Sequence, residues 1–215
     1  MAHKTNINRI IRALVISDFF LFFGVGLLAP IFAVFILENI ENKIEVVGFA
    51  TSAYWITRVV MVIPLSWLMD KIKGDNDEYL FMIIGTFIVA VQPLFFILST
   101  EPWHIYLLEV MSATAYSMAV PAWRILFTNY IDKKLIGFEW SLEDVGVGIA
   151  TATSASVGAY IANRFGFEIL FVIISAFGMI ATGILYILYR HKRDILREIL
   201  RSKSDKAPFK IDGIK

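Results

Sequence analysis

Charged side chains interrupt stretches of the sequence that are otherwise apolar. Asp18, Arg58 and Glu109 each lie inside a different apolar run that is long enough to cross a bilayer as a helix. A buried arginine stays charged, so one carboxylate is needed to balance it. The second carboxylate is then able to bind and release a proton. We therefore hypothesise proton-coupled or facilitated movement of a small solute past these three residues.

Aromatic residues accompany the charges in the same stretches. We expect them to give the solute apolar and stacking contacts. They are Tyr54, Trp55, Tyr116 and Trp123. A structural role is the alternative for Arg58, because pairs of arginine and acid inside a membrane also lock helices together. At the level of sequence both roles stay open.

Further charged residues lie near the predicted inner ends of the helices. We expect them to form a structural or gating network rather than to contact the solute. Its members are Asp70, Lys71, Arg124, Glu143 and Asp144. Pro30 and Pro121 each remove a helical hydrogen bond, and we expect both to kink their helices.

The composition narrows the class of protein. Hydrophobic residues make up 58% of the 215, and the mean hydropathy is +0.68, so lipid must cover much of the chain. There is no cysteine, which excludes disulfides, thiolate metal sites and cysteine nucleophiles. The sequence also lacks the motifs of serine hydrolases, zinc peptidases and phosphate-binding loops. We predict no enzyme activity, catalytic residue, metal site, cofactor or nucleic-acid partner.

Six apolar stretches are long enough to span a bilayer. They are Ile10 to Leu37, Val46 to Met69, Tyr79 to Leu98, His104 to Tyr130, Trp140 to Ala162 and Phe167 to Tyr189. Short polar connectors separate them and leave no room for a soluble domain. The sequence thus predicts an all-α membrane protein, with a six-helix transmembrane domain over residues 1–191 and a basic cytoplasmic tail over residues 192–215.

Lysine and arginine are distributed unevenly between the two predicted sides. They concentrate in the segments before the first span and after the second, fourth and sixth spans. The segments on the other side contain only Lys43 and Arg164. The positive-inside rule therefore places both termini in the cytoplasm. We expect the protein to lie in the cell (inner or plasma) membrane. Arg190 to Lys203 has the pattern of an amphipathic helix on the anionic inner leaflet, although a basic end that only fixes topology fits equally well. Past Ser204 we expect disorder.

The polar side chains of each span indicate whether that span faces lipid or a polar interior. The third and sixth carry no ionisable group in their middles and are expected to face lipid. The first, second, fourth and fifth are expected to surround a polar interior. The fifth also contains Ala150 to Gly158, a run of small residues that lets helix backbones approach closely. This run is a candidate contact surface.

The two halves of the sequence correspond to each other. Asp18 is followed twelve residues later by Pro30, and Glu109 is followed twelve residues later by Pro121, so 91 residues separate corresponding positions. The ends of the second and fifth spans match at a similar spacing. Because three spans is an odd number, the second unit must be inverted relative to the first. We predict a 3+3 inverted repeat, which is typical of secondary transporters.

The chain resembles one six-helix half of the major facilitator superfamily. Ser66 to Lys73 is similar to its connector Gly-x-Leu-Ala-Asp-Arg-x-Gly, keeping the leucine and aspartate and placing Lys71 at the arginine. Phe19 to Pro30 is similar to the first helix of the superfamily, and Val157 to Phe171 to its turn between helices five and six. The resemblance implies a cavity lined by helices one and four, with two and five at the interface and three and six outside.

The resemblance also implies an assembly. Members usually have twelve helices from two halves, and this chain contains one half that begins with its own methionine and ends in a basic tail. We therefore expect a homodimer through helices two and five, with its two-fold axis along the membrane normal. Asp70 is expected to hold one conformation by binding a helix end across the interface. A half that pairs with a different half, a truncated fragment, and a non-transporting membrane scaffold or receptor remain open.

Overall fold

The structure, a computed structural model, describes residues 8–71 and 76–205, with side chains to residue 192. Within these residues the regular structure is helical throughout. The helices are α1 (Arg9–Leu28), α2 (Phe32–Asn39), α3 (Ile44–Lys71), α4 (Asn76–Phe96), α5 (Pro102–Tyr130), α6 (Ile136–Phe165) and α7 (Phe167–Asp205). A short 3-10 turn, Ala29–Ile31, joins α1 to α2. The predicted all-α class is confirmed.

Each predicted span corresponds to a helical segment. The first is formed by α1 and α2 together, and α3 to α7 supply the second to the sixth. Five segments are both long and apolar enough to cross a membrane, namely Arg9–Asn39, Ile44–Lys71, Asn76–Phe96, Ile136–Phe165 and Phe167–Lys192. In the described chain the exception is α5, whose 29 residues give it a length of about 44 Å. It is long enough to cross, but Glu109, Arg124 and several hydroxyl side chains make it less apolar.

The packing order places two helices behind the others. α4 packs against α5 and α7, and α7 also packs against α1. α3 packs mainly on α5, while α6 packs mainly on α1. The front layer of the bundle is therefore α3, α5, α1 and α6 in that order, and α4 and α7 form the rear layer.

Apolar clusters hold both ends of the bundle. At the end where α1 begins, here called the lower end, Leu14 and Tyr79 are fully buried. At the opposite, upper end, the ring of Phe35 meets those of Phe96 and Phe171 edge to face, with centroids 5.7 and 4.9 Å apart. Such ring pairs add roughly 0.5–1.5 kcal/mol each beyond the burial of their area. Front and rear layers are thus joined at both ends.

Small residues let α1 and α6 cross closely. Gly26 faces Ser154, and Gly158 lies so near the backbone of Leu27 that an added Cβ would overlap it. Ser154 and Gly158 are buried, as is Ala150 one turn earlier. Close backbone approach of this kind is how small residues join helices in membranes. One side of the small-residue run therefore packs inside the bundle.

A single glycine makes the turn between α6 and α7. Gly166 is the one residue between the two helices, and its φ of 85° is a conformation that other residues rarely adopt. Its backbone N–H donates a hydrogen bond to the carbonyl oxygen of Ala162, 3.0 Å away. This geometry lets α7 begin directly at Phe167.

Burial differs strongly between the helices. Only 11% of the most apolar part of α3 and 17% of that of α6 is buried, against 50% for α4 and 44% for α7. Among these four helices, the predicted second and fifth spans are therefore the ones that the rest of the chain covers least. The faces of α4 and α7 that no helix covers expose large apolar side chains such as Leu80, Phe87 and Ile187.

The last helix continues without a break into the predicted tail and ends at Asp205. The helix that we expect over Arg190 to Lys203 is thus the final part of α7. Contact of this part with the inner leaflet stays a prediction. The segment that we expect to be disordered lies, apart from Asp205, outside the described residues.

The close crossing of α1 and α6 predicts a strong response to one added methyl group. Gly158→Ala places a Cβ where Leu27 leaves no space, and overpacking of this kind costs about 1–3 kcal/mol. We expect a lower midpoint of thermal unfolding in detergent. Gly48→Ala is the control, because nothing lies within 4 Å of its added Cβ. An unchanged midpoint for Gly158→Ala would contradict the crossing.

Candidate functional site

Aromatic groups hold Arg58 where α3 meets α5. Its Nη1 donates a hydrogen bond to the hydroxyl oxygen of Tyr54, 3.4 Å away and one helical turn earlier on α3. Its guanidinium carbon lies 5.7 Å from the ring centre of Tyr116 on α5. The two tyrosine rings meet edge to face, with centroids 6.3 Å apart. The positive charge therefore rests near a ring face in a cation–π arrangement between two helices of the front layer.

Two carboxylates accompany this cluster. Asp18 and Glu109 are both partly exposed, and both interact electrostatically with Tyr116. In the described chain neither forms a hydrogen bond or an ion pair, and no carboxylate lies within 4.0 Å of Arg58. The acid that we expected beside Arg58 is thus absent there, and Tyr54 and Tyr116 surround the arginine instead. Asp18 and Glu109 are left uncompensated.

Charged groups continue from Asp18 towards the lower end of α6. Glu143 lies near enough to Asp18 for their charges to interact, and it interacts in turn with Asp144 and Arg124. Glu143 and Asp144 line a depression of about 250 Å³, together with Trp140. The structure therefore brings together three members of the predicted gating network and connects them with Asp18.

The other two members of that network lie on a different helix. Asp70 and Lys71 are exposed and end α3. The ammonium nitrogen of Lys71 lies 3.3 Å from the ring centre of Trp67. These residues are also at the lower end, but α5 and α1 stand between them and α6.

Three of the four predicted aromatic contacts lie together. Trp55 is 58% exposed and meets Tyr54 edge to face at 5.4 Å, while Tyr54 meets Tyr116. Trp123 is placed elsewhere. It is only 8% exposed and stacks on Phe127 at 4.7 Å inside the lower core cluster.

The two prolines of the predicted kinks have different settings. Pro30 lies in the 3-10 turn that follows α1, so the helix of the first span is interrupted there. Pro121 lies inside α5, which continues through it to Tyr130.

Sequence reasoning missed two helix-end contacts. Glu139 is buried, and one of its oxygens accepts a hydrogen bond from the backbone N–H of Asp132 at 3.0 Å. His104 and Glu101 form a reciprocal cap at the start of α5, in which Nδ1 of the histidine accepts from the N–H of Glu101 at 3.1 Å. The second contact has the three-residue spacing of a capping box, but Glu101 and His104 are not the residue types of that motif, so the sequence contained no clear signal for it. Both contacts stabilise helix ends.

The arrangement suits reversible binding and proton exchange. Two partly exposed carboxylates without partners can each take up a proton, and Arg58 supplies a fixed charge. Among the residues that the structure describes, no group of three acids or histidines could hold a metal ion.

Comparison with known families agrees with the helical arrangement. Residues 14–211 match the family described as the Major Facilitator Superfamily. No curated protein matches the chain. The matched region contains every residue of the candidate site, and the resemblance drawn from the sequence is confirmed.

Because the chain contains no cysteine, a single introduced thiol reports whether water reaches its position. Asp18→Cys should react with a water-soluble methanethiosulfonate reagent in the folded protein, since Asp18 is partly exposed. Ser17→Cys is the matched control, because Ser17 is 1% exposed and should stay unmodified until the protein unfolds. The mass of the intact protein after timed exposure gives both rates. Equal rates would contradict an accessible position at Asp18.

Proposed function

Because the chain belongs to the major facilitator superfamily, we propose that it is a secondary transporter that works by alternating access as a homodimer of six-helix halves. Members of this superfamily are membrane transporters of small solutes rather than enzymes, and the apolar helices agree with a multi-pass membrane protein. The proposal is carried by Asp18, Arg58 and Glu109, which lie partly exposed in the front layer. Hydrocarbon does not tolerate such groups, so a water-filled space is expected to cover them.

Packing supports an inverted repeat, on which alternating access would depend. Gly24 of α1 packs against Phe177 of α7, and Ala115 of α5 packs against Gly85 of α4. Gly24 and Ala115 are 91 residues apart, the spacing that also relates the two acids. Likewise α1 packs on α6 and α7, while α5 packs on α3 and α4. Exchanging the first three spans with the last three leaves this pattern unchanged, as an inverted repeat requires.

A stripe of small side chains runs along the uncovered part of α6, where larger side chains such as Ile149 and Tyr160 are also exposed. Gly148, Ala152, Ser156 and Ala159 are exposed and follow one another at intervals of three or four residues, so they share one side of the helix. This small-residue stripe lies opposite the side that packs against α1. A surface of this kind lets another helix approach closely.

The uncovered face of α3 carries large side chains instead. Ile56, Val59, Ile63 and Trp67 share one side and are between 60% and 71% exposed. We propose that this apolar ridge packs against the small-residue stripe of a second copy, and that a two-fold axis repeats the contact. The two least buried helices would then be covered. The partly exposed charges of both copies would line a shared cavity.

Proton coupling is assigned to Asp18 and Glu109. Each carboxylate lacks a partner in the described chain, so each can hold a proton in one conformation and release it in another. Arg58 keeps its charge throughout, because a guanidinium does not release its proton in proteins.

Gating is assigned to the lower end of the bundle. Arg124, Glu143 and Asp144 interact there on α5 and α6, next to Asp18 in the membrane. Asp70 and Lys71 end α3 at the same level and are exposed, so a second copy can reach them. We expect these charges to hold one conformation across the interface and to separate in the other.

The lower end is proposed to face the cytoplasm of a cell (inner or plasma) membrane. It carries exposed basic side chains, namely Arg9, Arg12, Lys71, Lys133 and Lys134. Basic residues concentrate on the cytoplasmic side of membrane proteins. Both chain termini then lie in the cytoplasm, where the basic end of α7 can contact anionic lipid.

The proposed dimer predicts that a bulky side chain on the α6 stripe disrupts the assembly, whereas one on α7 does not. Ala152→Trp should convert a dimer of the 24.4 kDa chain into a monomer, because the indole separates the α6 stripe from the α3 ridge. Ala176→Trp is the matched control, an exposed alanine on α7 away from the proposed interface. Light scattering after size exclusion in mild detergent measures both masses. If the wild-type protein is a monomer and still transports, the proposed dimer is contradicted. If it is a monomer and does not transport, the chain needs a different half as its partner.

The proton assignment predicts loss of driven transport in two variants. Asp18→Asn and Glu109→Gln should each abolish solute uptake into liposomes under an imposed pH gradient while keeping the wild-type melting temperature. A thermal-shift screen of metabolite classes at two pH values selects the solute, since a ligand of the folded state raises its melting temperature. Glu168→Gln, at an exposed acid at the start of α7, should transport normally. Unchanged uptake in both variants would contradict the proton role. If a neutral replacement of Arg58 also left the function of the protein unchanged, a scaffold or receptor would be favoured.

A further inference from the structure

The charges of the candidate site indicate the sign of its solute. We infer that the solute is a monovalent organic cation, an inference that rests on the proposed function and narrows it. The groups that bind the cation are the carboxylates of Asp18 and Glu109 and the rings of Tyr54, Trp55 and Tyr116.

Carboxylates outnumber cationic side chains along the path from the upper to the lower part of the site. Four acids stand against two arginines, so each protomer has an excess of two negative charges when all are ionised. A two-fold dimer doubles this excess around one cavity. Charges interact strongly where little water is present, so such a cavity attracts cations and repels anions. The residues are Asp18, Glu109, Glu143 and Asp144 against Arg58 and Arg124.

The two arginines are already engaged. Arg58 donates to Tyr54 and lies against the ring of Tyr116, and Arg124 interacts with Glu143. Asp18 and Glu109, by contrast, hold no partner in the described chain and are partly exposed. Even with the charge of Arg58 counted, these two carboxylates leave one excess negative charge when both are ionised, so the charge that remains for a solute is negative.

Aromatic rings give the site a preference for an organic cation. The ring of Tyr116 already accepts the guanidinium of Arg58, so ring faces here stabilise positive charge. Trp55 stands beside Tyr54 and is 58% exposed, which leaves indole surface for apolar substituents. A bare divalent metal ion needs several oxygen ligands, and no group of three acids or histidines in the described residues supplies them. A substituted ammonium matches both the charge and the rings.

Benzyltrimethylammonium is a probe of this chemistry, with two matched competitors. Phenylacetate carries the same ring with a negative charge, and benzyl alcohol carries it with none. Calorimetry on the full chain in mild detergent should show binding of the ammonium and no binding of the other two. Asp18→Asn and Glu109→Gln should each weaken binding of the ammonium by at least about tenfold, a measurable change in Kd.

Two variants separate the effect of charge from that of folding. Asp18→Glu keeps the charge and should retain binding, and Glu168→Gln removes an acid outside the site and should change nothing. Preferential binding of phenylacetate, or undiminished ammonium binding in both neutral variants, would overturn the inference. If the protein takes up an anionic or neutral solute in a way that depends on Asp18, and binds no ammonium, the inference of a cationic solute is overturned. The proposed transport function would still stand. Ammonium binding that depends on Asp18, in a protein that moves no solute through the membrane, would support the cation site and reject transport.

Discussion

Ionised groups cannot face hydrocarbon at low cost, and this constraint organises the whole bundle. Helices without ionisable groups in their middles, α4 and α7, take the rear layer and expose apolar side chains. Helices that carry charges, α1, α3, α5 and α6, take the front layer. There the charges lie beside neighbouring helices and one another, as Arg58 lies against Tyr116. The same constraint that orders the helices therefore also places the candidate site.

Helix positions were predictable because length and apolarity are local properties of a sequence. The third predicted span, Tyr79 to Leu98, corresponds to α4 (Asn76–Phe96). The sixth span begins at Phe167 both in the prediction and in the structure. The fourth span, His104 to Tyr130, was predicted as an apolar stretch like the others, although α5 is outside the five segments that are apolar enough to cross.

Contacts between helices were less predictable, because they depend on rotamers and on which neighbours tertiary packing selects. Arg58 was expected beside an acid, yet Tyr54 on its own helix and Tyr116 from α5 surround it. Trp123 looked like a solute contact from its neighbourhood in the sequence, but its ring stacks on Phe127 in the core. The run Ala150 to Gly158 was taken as one surface, although the helical period divides it into a buried and an exposed side.

The crossing of α1 with α6 also has a consequence for biogenesis. Gly26 meets Ser154, and Leu27 meets Gly158, so α1 makes this close crossing with a helix that is translated after α3, α4 and α5. During translation, α1 enters the bilayer before α6 and α7 have been synthesised, so Asp18 lies there without its final neighbours. Insertion and packing therefore follow different orders. The packing of α1 is therefore complete only after α6 and α7 have been translated.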